Sequence, residues 1–258
     1  MPTRLKRSDR KGGKRFDRLS YADFRRMARD ASLSKYEKIG FPDRYRANYE
    51  KAIFRDILVK LPKLLAKRQV VLDIGPGCSD LPRMLIDLCR RQEHRLVLVD
   101  SAEMLDLLPE APFITKVSGK YPGNVKAIVR ASRQYDVMLC YSVLHHVFVD
   151  GNIWSFLDRS LALLGAGGQM LIGDVPNVSK RRRFFSSDAG IAFHRSFMGT
   201  ADDPTVQFNV ATPGEIDDAA VLGLLLRARN AGVDAYLVPQ APDLPMANRR
   251  EDLLLRKP

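Results

Sequence analysis

From residue 69 onward, short apolar runs alternate with longer stretches in which apolar residues recur every three or four positions. The runs at residues 70–74, 96–99, 113–117, 136–141 and 169–172 are too short for helices and lack the alternation of a half-exposed strand. Strands of this kind are buried on both faces, which predicts a parallel sheet covered by helices. Residues 80–91, 104–108, 125–133 and 153–164 supply helices between them. Residues 215–231 read as a longer helix, with Gly232 as its C-terminal cap. Two further strands, residues 235–238 and 252–255, flank the Pro-rich loop 240–245. That loop has no room for a crossover helix, so the two strands either pair antiparallel or are not neighbours.

Ahead of the sheet the period is helical. Over residues 20–31, Ser20 is placed to cap a helix, Asp23 sits in its first turn, and Phe24, Met27 and Ala28 form an apolar stripe. Residues 42–61 read as one helix: Pro42 and Asp43 suit its start, and Tyr45, Tyr49, Ile53, Ile57 and Leu61 recur every four residues until Pro62 breaks it. The expected fold class is therefore α/β: a Rossmann-like, seven-stranded, mostly parallel sheet with an antiparallel last strand, helices on both faces and an N-terminal helical cap. The expected division is a basic, disordered tail over residues 1–18, the cap over 19–66, and the main domain over 67–258 with an insertion or lid at about 175–213.

Composition narrows the picture only a little. The 258 residues carry a net charge of +12, which points to an anionic partner without choosing among nucleic acid, phosphorylated small molecules and a membrane face. Much of the excess lies in the first 15 residues and in Lys180, Arg181, Arg182 and Arg183, for which a solvated surface is the plain alternative. Cys78, Cys89 and Cys140 are too few and too scattered for a disulfide scaffold or a zinc site, and no metal constellation is visible. No apolar run approaches the ~18 residues of a membrane span, and the basic start lacks the apolar core of a secretory signal. A cytoplasmic location is the default.

The chemistry begins at Asp73-Ile74-Gly75-Pro76-Gly77-Cys78-Ser79, where a strand meets a glycine-containing turn that opens a helix. In open α/β sheets, ligands bind at the carboxyl ends of strands. The loop fails the G-x-G-x-x-G pattern of dinucleotide sites and lacks the Gly-Lys-Ser/Thr of a phosphate loop. A nicotinamide oxidoreductase is accordingly a distant reading. Asp100 closes the second strand, a place from which a carboxylate accepts hydrogen bonds from both hydroxyls of a ribose; the structural alternative is a turn aspartate capping the next helix. Asp73, an acid inside an apolar strand, is costly unless paired.

Together these segments resemble the class I S-adenosylmethionine (SAM)-dependent methyltransferases over about residues 70–174, and more loosely at the end of the chain. Asp73, Gly75 and Gly77 match the family's first motif, with Pro76 between the glycines and Ser79 in place of its last glycine. The resemblance implies SAM as cofactor, with S-adenosylhomocysteine (SAH) as product. It further implies that Asp73 holds loop amides or, through water, the methionine amino group, and that Asp100 and Ser101 lie at the ribose. Met104 would lie against the adenine, with Ser118 and Gly119 near its edge, where the family's usual acid is missing. Cys140, Tyr141 and Ser142 would pass under the methionine and sulfonium, and residues 164–168 resemble the turn before the fifth strand.

The segment Ser142-Val143-Leu144-His145-His146-Val147 is similar to that of many small-molecule methyltransferases. It is unlike the Asn/Asp-Pro-Pro-Tyr/Phe motif of nucleic-acid amino methyltransferases, and the paired cysteines of carbon-5 RNA enzymes are missing. A hydroxyl acceptor profits from a general base, and histidine is readily tuned for that task. His146 is the first candidate, with His145 and His194 behind it; packing against the cofactor is the alternative role. Asp174, Asn177, Lys180, Arg181, Arg182 and Arg183 follow the fifth strand on the cofactor side and are candidates for gripping an anionic acceptor. The expected function is methyl transfer to O or N of an anionic or phosphate-bearing small molecule, a nucleotide-linked sugar being one such acceptor. The segments around residues 33–42, 176–185 and 239–245 loosely resemble enzymes of bacterial surface-sugar pathways. RNA is the alternative acceptor, and a non-catalytic SAM-binding protein is the reading from another class.

Overall fold

The computed structural model describes residues 19–258; the tail expected over residues 1–18 lies outside them. Seven strands form one sheet: β1 (Val70–Ile74), β2 (Arg95–Asp100), β3 (Ile114–Ser118), β4 (Tyr135–Tyr141), β5 (Leu164–Pro176), β6 (Asp234–Val238) and β7 (Arg250–Arg256). Their order is β3-β2-β1-β4-β5-β7-β6. The first five are parallel neighbours, as in Val71↔Leu96 and Val71↔Val137. Strand β7 runs antiparallel to both β5 and β6, with Ala235 opposite Leu255. This is the expected fold class, including the antiparallel terminal pair.

The period-two geometry of strands sends neighbouring residues to opposite faces. Leu72, Val97, Met138, Cys140 and Ile172 enter one core, under helices Ile153–Leu163 and Asp218–Asn230. Val71, Leu96, Leu98, Val137, Leu139 and Leu171 enter the other, under helices Glu50–Lys60 and Asp80–Arg91. Because both faces are dry at the centre of the sheet, β1, β2 and β4 read as largely apolar runs. Strand order reverses between β1 and β4, and at such a reversal the helices leave a crevice at the carboxyl ends.

One expectation about helices needs correction. The helix read over residues 42–61 is split into Asp43–Arg46 and Glu50–Lys60, with Asn48 between them in the left-handed region at φ 72°. Asparagine tolerates that conformation where most residues do not. Tyr49 is partly exposed, while Arg46 and Glu50 are buried. The connection read as a lid carries two helices, Val178–Phe185 and Asp188–Met198, capped by Asn177 and Ser187. They cross closely at Gly190, where an added Cβ would lie 1.8 Å from the Phe184 carbonyl oxygen. Among the described residues no helix is long and apolar enough to cross a membrane.

Candidate active site

A cavity holding about 1020 Å3 of space, its open mouth included, lies over the carboxyl ends of β1, β2 and β4. Its floor is the loop after β1, where Gly75 and Gly77 both adopt positive φ (70° and 65°). Asp100 at the end of β2 binds this floor: its Oδ2 accepts the Gly77 amide at 3.0 Å, and its Oδ1 accepts the Ser101 amide at 2.7 Å. Burial pushes the Asp100 carboxyl up to about 6, against the opposing effect of those amides. Asp73 stands behind the loop, 3% exposed. Its carboxyl is pushed up to about 8, first by burial and then by the charge of Asp100. Ile74, Val99 and Met104 give the cavity an apolar wall next to Asp100.

The roof comes from the N-terminal segment. Ser20 and Asp23 form a reciprocal capping box that starts helix Tyr21–Arg29. Arg25 and Arg29 of this helix both bind Glu103, which follows Asp100 by three residues; the Arg25 Nη2 to Glu103 Oε1 distance is 2.8 Å. The Arg25 hydrogen bonds hold the Glu103 carboxyl down at about 2. Lys35 reaches Asp80 at 2.6 Å and fixes the next turn over the start of helix Asp80–Arg91. Tyr21, Phe24, Ile39 and Phe41 are thereby set into the cavity. Tyr21 faces Asp100: burial, and then the Asp100 charge, raise its phenol.

Arg46 and Glu50 are both 3% exposed and both line the cavity. Glu50 Oε2 accepts the Leu81 amide at 2.6 Å, an unsatisfied donor at a helix start, while its Oε1 is buried without a partner. Burial raises the Glu50 carboxyl, the Ser79 hydroxyl and Arg46 opposing. Arg46 Nη2 donates to Asp174 Oδ2 at 3.2 Å and to the Ser142 hydroxyl, and its guanidinium lies 4.2 Å from the centre of the Phe41 ring. Its Nε is buried without a partner. A buried donor or acceptor left unmet costs ~1–3 kcal/mol, and both such atoms belong to residues at the charged end of one cavity. Their i, i+4 spacing suits one helix face, but a charged pair on an otherwise apolar face gives no signal of burial in the sequence.

Beyond Arg46 the polar groups continue as a buried network. Asp174 also binds Arg250 Nη1 at 2.9 Å, and its amide donates to Asp252 Oδ1 at 2.8 Å. Asp252 in turn pairs with Lys60 at 2.7 Å. Ser142 and Asp174 both sit at positive φ (61° and 59°) and hydrogen-bond to each other. Strain of that kind collects at functional sites.

Of the residues singled out in the sequence, Gly75, Pro76, Gly77, Asp100, Met104, Gly119, Tyr141, Ser142 and His146 line the cavity. Ser101 caps helix Ala102–Leu105, Ser118 is exposed at the end of β3, and Cys140 is fully buried within β4. His146 packs edge-on against Phe24, ring centres 4.9 Å apart, and burial lowers its imidazole to about 4, with Asp150 and the Leu19 backbone opposing. His145 stacks beside it at 3.9 Å, its Nδ1 shut from solvent and unpartnered. Burial, then the charges of His146, Arg250 and Arg46, hold His145 well below the ordinary range. His194 sits on helix Asp188–Met198 against Phe185 at 6.2 Å, outside the cavity lining.

The remaining candidates are engaged elsewhere. Asn177 accepts the Ser179 and Lys180 amides and donates to Asp218 and Glu251. Lys180 donates to the Arg250 carbonyl at 2.8 Å, Arg182 to Thr212 at 2.7 Å, and Arg183 to Asp218 at 2.5 Å. Arg181 lies over the Phe185 ring at 5.9 Å. None of these four basic side chains lines the cavity. Among the described residues no group of three or more His, Cys, Asp or Glu is arranged to hold a metal ion.

Comparison with known proteins bears on this arrangement. No protein-family model matches the chain. A 23S rRNA (adenosine(1067)-2'-O)-methyltransferase of Streptomyces azureus is 30% identical over 139 residues, covering 53% of this chain and 50% of that protein. The chain thus aligns with about half the length of that relative. Among solved structures, the plantazolicin methyltransferase BpumL in complex with SAH is similar at a TM-score of 0.55 and 14% identity, covering 96% of this chain and 99% of the other. The N-methyltransferase NodS of Bradyrhizobium japonicum, in complex with SAH, is similar at a TM-score of 0.52 and 13% identity, covering 92% and 98%. The seven-stranded order, the terminal antiparallel pair and these structural relatives together give the conclusion that the chain has the class I SAM-dependent methyltransferase fold.

Proposed function

We propose that the chain transfers a methyl group from SAM to an oxygen or nitrogen of an anionic, phosphate-bearing small molecule, a nucleotide-linked sugar being the type of acceptor that suits it. The observation that carries the reading is the pairing of Asp100, beside an apolar wall, with two buried orphan atoms, Arg46 Nε and Glu50 Oε1, in the same cavity. A carboxylate for a ribose diol, an apolar slot for a base and an opposite-charge pair for an amino acid are what SAM requires. Asp100 would hold the ribose and Met104 the adenine. Arg46 and Glu50 would hold the methionine carboxylate and amino group, with Asp73 behind the loop.

Bound SAM supplies an already activated methyl group, so the protein's task is alignment and exclusion of water. Phe24, Ile39 and Phe41 close the cavity to water, and Ser142 and Tyr141 form its wall at the end of β4. His146 reaches the same space and is unprotonated at neutral pH, so it is free to accept a proton from a hydroxyl acceptor. An amine acceptor that arrives neutral needs no such base.

A second reading, an RNA methyltransferase, is favoured by the rRNA-modifying relative and by the net charge of +12. Incubating the protein and methyl-labelled SAM with a cell extract split into small-molecule, RNA and protein pools separates the two. Label in an anion-exchange-retained small-molecule fraction, abolished in Asp100→Ala, is the expected result. Label in RNA would replace the first reading by the second, and no label in any pool despite SAM binding would leave a non-catalytic SAM protein.

A further inference from the structure

Phe184, Phe185, Phe193 and Phe197 form one aromatic cluster on the two helices after β5, with Phe193 and Phe197 stacked at 5.6 Å. Three guanidiniums stand over its rings: Arg44 over Phe197 at 5.4 Å, Arg249 over Phe193 at 5.7 Å and Arg181 over Phe185 at 5.9 Å. Among the described residues none of the three pairs with a carboxylate; Arg249 donates only to the Asn248 side-chain oxygen. Their neighbours are different: Arg183 is spent on Asp218, Arg195 on Asp203, and Arg250 on Asp174. Burial lowers the half-buried Arg249, the Tyr45 phenol opposing, and the charges of Arg250 and Arg181 add to the lowering, so two further cations stand near it.

The cluster adjoins the cavity. Tyr45 and Arg249 are the chain neighbours of Arg46 and Arg250, whose inward ends share Asp174 and both lie over Phe41 of the cavity wall. The Asn177 amide donates to the Arg249 carbonyl at 3.2 Å, so the helix that carries Arg181 starts beside Arg249. Stacking on rings fixes guanidinium planes before a ligand arrives, and such planes bind phosphate oxygens in pairs.

We propose that Arg44, Arg181 and Arg249 form a subsite for the phosphate or diphosphate group of the acceptor, next to the buried Arg46–Asp174–Arg250 network that adjoins the active-site cavity through Arg46. The proposal rests on the reading of the chain as a methyltransferase of a phosphate-bearing small molecule, and it names the residues that select that class. A single-stranded nucleic acid would instead call for a track of free cations along a groove, and here the next arginines outward are neutralised by Asp218 and Asp203.

The test is calorimetric titration of inorganic pyrophosphate into the full chain, with and without saturating SAH, for the wild type, Arg249→Gln, Arg44→Gln/Arg181→Gln and the distant control Arg227→Gln. The expected result is saturable pyrophosphate binding, weakened at least tenfold by either cluster variant and unchanged in the control, with SAH affinity equal throughout. Equal pyrophosphate binding in every variant, or none in the wild type, overturns the subsite. Failure of SAH to bind the wild type would instead remove the cofactor reading, while the titrations without SAH still decide the subsite. A short single-stranded RNA that binds more tightly than pyrophosphate, and loses that affinity in the same variants, would overturn the small-molecule assignment.

Discussion

The Cγ2 methyl of Ile39 stands 2.5 Å from the point a Cβ on Gly77 would occupy. The N-terminal roof therefore closes directly on the cofactor loop, and Gly77 is needed both for this approach and for its φ of 65°. Gly77→Ala is expected to strain the loop by ~1–3 kcal/mol and to lift the roof. SAH affinity measured by calorimetry should fall at least tenfold while the circular dichroism spectrum is kept. Pairing it with Ile39→Ala should restore only the part lost to the clash. Full recovery would show that backbone conformation at Gly77 is immaterial.

Asp100 gives the site a pH dependence of definite sign. Burial raises its carboxyl to about 6, and protonation removes acceptor capacity that a ribose diol would use. SAH affinity is expected to be flat above about pH 7 and to weaken as the pH falls through 6. Asp100→Asn should bind at least tenfold more weakly at pH 7.5 and lose most of the pH dependence. Calorimetric titrations between pH 5 and 8 check both expectations, and an unchanged profile in the variant would move the dependence to another group.

Asp73 acts on stability in the opposite sense from an ordinary paired carboxylate. Its folded-state value of about 8 lies above the ordinary aspartate value of 3.8. Between those values the folded chain holds a proton that the unfolded chain has released, so this group's contribution falls as the pH rises through that window. Asp73→Asn is expected to raise the melting temperature of the ligand-free protein more at pH 8 than at pH 5. Differential scanning fluorimetry across that range would show it, and a variant less stable than wild type at pH 8 would mean that the ionised carboxylate is satisfied in the fold.

Removing Arg46 opens a buried pair, a change that costs ~3–5 kcal/mol when the partner is left alone. Here Asp174 keeps Arg250 at 2.9 Å, which places Arg46→Ala at the low end of that range. Urea denaturation measures the loss. A methionine-carboxylate role adds a separate effect, a fall in SAH affinity at a temperature where the variant is folded. Loss of stability with SAH affinity intact would leave Arg46 as a purely structural link between the roof and β5.

The legible parts of this chain are those governed by local pattern. The buried strands were visible because two dry faces make each an apolar run, and Asp73, Gly75, Gly77 and Asp100 because a strand end, a turn and an acid lie close in sequence. Arg46 and Glu50 were not legible: a charged pair at helical spacing reads as a solvated face, and their burial follows from contacts with Ser142, Asp174 and Leu81, far away in the chain. The same holds for the basic run. Arg181 and Arg183 are alike in sequence, yet Asp218 occupies Arg183, whereas Arg181 lies on a ring without an acid.

The histidine pair supplies the sharpest test of chemistry. His146 lines the cavity and is lowered by burial to about 4, so it stays unprotonated across the neutral range. If it takes the acceptor's proton, kcat at saturating SAM should hold to well below pH 6.5, with no break near that value, while the affinity changes through Asp100 appear only in KM. His146→Ala should then lower kcat ~100-fold or more, as loss of a general base does. A packing role predicts something else, since His146 supports Phe24 of the roof at 4.9 Å: SAH affinity would drop and kcat at saturation would survive. His145→Ala provides the contrast, because its Nδ1 is buried without a partner and the residue does not line the cavity. Transfer that persists in the His145→Ala/His146→Ala double variant would exclude a histidine base and leave alignment against the activated methyl group as the source of the rate.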